Sequence, residues 1–167
     1  MSTNDRRARS LWGALAAGLL VLTVGAPASA DSGPSDGPGE ATISAGDLGP
    51  DHLVTCSINA AKPNYSGTTV TAVGYMSSCT PSTPETCRTE TDLLRYYPGP
   101  GTWEVLASGP VNYSCPPPNR TSTAVLQNCK PASVNWTYMT RTSGTIIHDG
   151  KPTAGHVDSS LLNVKCV

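Results

Sequence analysis

Residues 133–153 read SVNWTYMTRTSGTIIHDGKPT. Thr, Val, Ile, Tyr and Trp dominate the run, residue types that suit a pleated, half-buried surface, and no helical repeat of apolar positions passes through it. Asp149-Gly150 stands where a two-residue type I′ turn needs positive φ at both positions. The stretch therefore predicts a long strand over 133–148 that closes into a hairpin. In that register His148 faces Lys151, and Ile147 faces Pro152 as a non-hydrogen-bonded pair, the arrangement in which a strand tolerates proline. Gly144, in mid-strand, predicts a bulge or bend.

The same period of two recurs on either side. In HLVTCSI (52–58), Val54, Cys56 and Ile58 share one face. In GTTVTAVGYMSSC (67–79), Val70, Ala72 and Met76 alternate with Thr69, Thr71, Val73 and Tyr75. Shorter strands are predicted at 93–97, 102–107, 110–115 and 161–166, with YYPGPGTW (96–103) as a proline-glycine turn. No helical repeat follows residue 30. Six to seven strands in residues 52–167 predict an all-β fold, an antiparallel β-sandwich (Ig-like or similar) stabilised by disulfides.

The N-terminal region predicts export. Arg6, Arg7 and Arg9 precede an apolar run from Leu11 to Ala26, and Ala28 and Ala30 fit a small-residue cleavage site, so residues 1–30 read as a signal peptide. The apolar run would span only about 24 Å as a helix, short of a bilayer core of about 30 Å. Residues 31–51, DSGPSDGPGEATISAGDLGPD, are rich in Gly and Pro and carry Asp31, Asp36, Glu40, Asp47 and Asp51 without a basic residue. They read as a disordered acidic leader. Without Arg6, Arg7, Arg9 and Asp5, the 11 basic and 12 acidic residues of the chain become eight and eleven. That balance lacks the basic stripe a nucleic-acid partner requires.

Six cysteines, at 56, 79, 87, 115, 129 and 166, in a chain with three Trp, six Tyr and no Phe predict a disulfide framework that compensates for a thin core. Fifteen pairings are possible. Proximity favours Cys79–Cys87 and Cys115–Cys129, which leaves Cys56–Cys166. Two short segments point elsewhere. VTCSI and NYSC resemble the two cysteine strands of immunoglobulin domains, in which a Tyr stands two residues before the second Cys. That resemblance implies Cys56–Cys115 with Tyr113 as the corner tyrosine, and Cys129–Cys166 as its corollary; TTVT stands where that family carries its Trp.

CTPSTPETC (79–87) resembles the binding loop of Bowman–Birk protease inhibitors, a disulfide ring of the form C-T-x-S-x-P-P-x-C, through Cys79, Thr80, Ser82, Pro84 and Cys87. The resemblance implies a protease inhibitor. Pro81, however, occupies the specificity position, where its ring removes the N–H a substrate-like strand donates, and Glu85 replaces the second proline. The simpler expectation is a staple across a turn.

Three histidines, His52, His148 and His156, are too few to single out a site. In the predicted hairpin His156 lies five positions beyond the residue facing His148, about 17 Å along the strand. No metal and no cofactor are expected. No G-x-S-x-G motif is present, and no catalytic residue is assigned. The aromatic residues are the stronger lead. Trp136 and Tyr138 share a sheet face with Thr140 and Thr142, and Tyr96, Tyr97 and Trp103 flank a turn; such rings beside polar side chains suit sugar or peptide surfaces. The competing expectation is that they form the core of a domain without Phe. The sequence thus predicts a secreted, non-catalytic binding module whose partner is an extracellular protein or carbohydrate, with no nucleic acid and no membrane after signal cleavage. The alternatives are a protease inhibitor using the 79–87 loop and a small secreted hydrolase.

Overall fold

The computed structural model describes residues 38–46, 53–117 and 119–167, and every regular element in them is a β-strand. The strands are β1 (Gly39–Gly46), β2 (Leu53–Ala60), β3 (Asn64–Ser66), β4 (Thr69–Thr80), β5 (Thr86–Tyr97), β6 (Thr102–Ser108), β7 (Thr121–Leu126), β8 (Pro131–His148), β9 (Lys151–Asp158) and β10 (Leu162–Cys166). The signal peptide assigned to 1–30 lies outside the described residues, as do residues 31–37 and 47–52 of the leader and its boundary.

Two five-stranded antiparallel sheets result. In the first, β2 lies between β1 and β4. β3 continues the β2 side of β4 at Thr69–Thr71, and β7 takes the opposite side at Val70–Tyr75. In the second, β8 is central, with β5 and then β6 on one side. β9 and β10 share its other side, β9 pairing with residues 141–148 and β10 with residues 131–138.

The inward faces follow the period-two alternation. Val54, Cys56, Ile58 and Ala60 of β2 are buried, as are Val70, Ala72 and Met76 of β4. They meet the second sheet directly. A Cβ added at Gly74 would collide with the hydroxyls of Thr91 on β5 and Thr142 on β8, and one added at Gly144 would come within 2.8 Å of Ile58 Cγ2. Gly144 therefore marks close packing between the sheets. It is in register with Thr89 and Gly155, with no bulge at that point, contrary to the sequence expectation. Several core positions are polar; of these, Thr89, Thr91, Thr140 and Thr142 are at most 1% exposed, and their hydroxyls have no hydrogen-bond partner among the described residues.

The hairpin after β8 forms in the expected register, His148 opposite Lys151 and Ile147 opposite Pro152. Asp149 at φ 51° and Gly150 at φ 67° supply the two left-handed positions of its turn. Three other expectations fail. Gly39–Gly46 is a strand paired along its whole length with β2, so the 31–51 segment is not a leader throughout; Ile43 and Ala45 bury their side chains in the core, which offsets the ordering entropy that its glycines raise. Residues 110–115 contribute only one bridge, Thr89 with Asn112. The 121–126 stretch, for which the sequence predicts no strand, is strand β7.

The disulfides are Cys56–Cys79, Cys87–Cys115 and Cys129–Cys166, with Cα–Cα distances of 4.1, 5.0 and 5.4 Å. Cys56 and Cys79 are direct cross-strand neighbours on β2 and β4. Cys79 is the penultimate residue of β4 in one sheet and Cys87 the second residue of β5 in the other, so CTPSTPETC spans the crossover between sheets and is not a closed ring. Cys79–Cys87, Cys115–Cys129, Cys56–Cys166 and Cys56–Cys115 are all absent; of the expected bridges, only Cys129–Cys166 occurs. Tyr113 is 69% exposed and is no corner tyrosine. Three disulfides fit an oxidising compartment.

Candidate binding site

The β5–β6 hairpin brings its aromatics together through its turn. Gly101, at φ 70°, donates its N–H to the Tyr97 carbonyl at 2.9 Å. This closure sets Tyr96 opposite Trp103, and their rings tilt against each other with centroids 5.3 Å apart. Tyr97 and Trp136 meet edge to face at 5.6 Å. The Arg95 guanidinium stands 4.6 Å from the Tyr97 ring centroid and 4.8 Å from that of Trp136, a cation–π arrangement that fixes both rings.

Next to this cluster β8 departs from regular pairing. Between the pairs Val164–Trp136 and Cys166–Pro131, β10 advances two residues while β8 advances five. The surplus residues bulge outward, which is how a sheet re-aims side chains; Val134 is left 59% exposed. Tyr96, Pro98, Val134, Asn135, Trp136 and Thr137 line the resulting open cleft of about 310 Å³. Its walls combine two aromatic rings and an aliphatic surface with an amide and a hydroxyl. They can stack on a flat ligand and hydrogen-bond to its rim; no carboxylate or imidazole lines them.

Of the five predicted binding residues, Trp136 and Tyr96 line the cleft, and Tyr97 and Trp103 pack against those two rings. Tyr138 does not belong with them. It is fully buried, and its hydroxyl donates to the Cys166 carbonyl at 2.7 Å. Burial pushes its phenol above the usual tyrosine range, against the opposing effect of Arg95. Trp136 packs at the margin of the core cluster that contains Tyr138 and stays partly exposed, whereas Tyr138 is wholly enclosed. Sequence reading missed Pro98, Val134, Asn135 and Thr137, and also Arg95. Alternation in LLRYY places Arg95 and Tyr97 on one face; that this face meets Trp136 depends on the β5–β8 register. His156 faces Ser143 across β8–β9, away from His148.

No protein-family model, curated protein or solved structure matches this chain.

Proposed function

We propose that the protein is a secreted, disulfide-stabilised β-sandwich domain that serves as an extracellular binding module, with the Tyr96–Trp136 cleft as its ligand face. The observation that carries this reading is the cleft itself. A half-buried indole and a phenol are held rigid by Tyr97, Trp103 and Arg95, beside the exposed amide of Asn135 and the Thr137 hydroxyl. Its volume lies at the lower end for small-ligand sites. The ligand class is a carbohydrate, whose flat apolar ring face stacks on Trp136 while its hydroxyls reach Asn135 and Thr137, or a protein surface of similar shape.

The test is a glycan and peptide array probed with the mature protein, followed by titration of any hit against tryptophan fluorescence. Trp136→Ala is expected to weaken binding by about 2 kcal/mol or more, as an aromatic anchor at the centre of a contact does. An array without hits, or a hit that Trp136→Ala leaves unchanged, removes the cleft from consideration. The protease-inhibitor reading needed a closed 79–87 ring, and the Cys56–Cys79 and Cys87–Cys115 bridges take away that support.

A further inference from the structure

At the opposite end of β5 and β8 from the cleft, three coordinating side chains converge. Glu85 immediately precedes β5, His148 ends β8, and Asp149 opens the hairpin turn. We propose that Glu85, His148 and Asp149 form a zinc(II) site. One donor atom from each residue lies within 4.8 Å of the other two. Donors about 2.0–2.2 Å from a tetrahedral ion stand about 3.3–3.6 Å apart, so the three need to close by only about 1 Å, a change within side-chain adjustment.

The backbone holds the three residues in place. Glu85 donates its N–H to the Ile147 carbonyl at 3.0 Å. The Asp149 N–H donates back to Glu85 Oε1 at 2.9 Å, which orients that carboxylate without consuming its second oxygen. Asp149 is confined by its left-handed turn conformation. A second observation comes from His148. Its side chain is only 17% exposed, and Nε2 lies 3.9 Å from Asp149 Oδ2, beyond hydrogen-bonding distance. Its Nδ1 is enclosed and has no hydrogen-bond partner among the described residues. A largely buried imidazole that makes no hydrogen bond among the described residues, beside two carboxylates, has coordinating capacity to spare. One imidazole with two carboxylates is a zinc donor set, whereas calcium and magnesium take all-oxygen shells. Three protein ligands also leave a fourth position for water.

Lys151, directly across the strand pair from His148, adds a positive charge to the same corner, so Lys151→Gln is expected to tighten binding. The experiment is calorimetric titration of the chelator-treated mature protein with zinc chloride. One equivalent is expected to bind, and calcium and magnesium chloride are expected to give no signal. His148→Ala and Glu85→Gln should each weaken zinc binding by more than about tenfold. Asp149→Asn should do the same while keeping the turn, because Asn tolerates the left-handed conformation. His156→Ala and Trp136→Ala should leave the titration unchanged. Zinc binding that is absent, or that survives all three ligand substitutions with folding verified by circular dichroism, overturns the site. Neither result bears on the cleft.

Discussion

Thr142 is fully buried, its hydroxyl has no partner among the described residues, and it faces Gly74 across the interior. Thr91, its cross-strand neighbour, is in the same position. A buried hydroxyl without a hydrogen bond carries a desolvation cost of about 1–3 kcal/mol. Thr142→Val keeps the branched shape and removes that cost, so it is expected to raise stability by about 1 kcal/mol, read as a higher urea midpoint at unchanged slope. A lower midpoint would mean that the hydroxyl finds a partner in solution. Threonine suits these positions for the same reason it suits strands generally: the branch at Cβ packs on a pleated surface. Sequence alternation identified the face that Thr140 and Thr142 occupy. It did not reveal that this face is interior, because threonine reads as polar in any pattern count.

Among the elements, β1 departs furthest from its composition. Gly, Ala, Ser and Thr supply six of the eight residues in GEATISAG, and only Ile43 gives it a large apolar side chain. That side chain is 5% exposed and packs with Val54, Ile58, Met76, Ile146 and Val157. Ile43→Ala is therefore expected to cost about 2–4 kcal/mol in chemical denaturation; an unstructured leader would register no change. The small residues of β1 are themselves functional in packing, since a Cβ at Gly39 would strike the Asp158 backbone on β9. The β8–β9 hairpin lies at the other extreme. Its register was legible because Asp149-Gly150 fixes the turn chemically, and the pairing follows from the turn.

At the scale of the molecule, the three bridges divide the work between sheets and segments. Cys56–Cys79 locks two strands of one sheet, Cys87–Cys115 ties the segment after β6 back to β5, and Cys129–Cys166 anchors the C-terminal strand beside the β7–β8 connection. The last has a sequence separation of 37 residues, for which the chain-entropy account gives about 4 kcal/mol. Replacing Cys129 and Cys166 together by Ala is expected to lower unfolding free energy by about 2–4 kcal/mol, measured by guanidinium titration. Non-reducing peptide mapping of the parent protein is expected to recover these three pairs. The amino-acid sequence alone determined the all-β class, the inward faces of β2 and β4, the terminal hairpin and the reliance on cystines, because each depends on period-two alternation, turn chemistry or composition, all local properties. Only the tertiary structure decided the cysteine partners, the strand nature of Gly39–Gly46, the burial of Tyr138 beside an accessible Trp136, and the meeting of Glu85 with His148. Those outcomes depend on which strands pair and which sheet covers which face, and such long-range contacts leave no mark within a short window of residues.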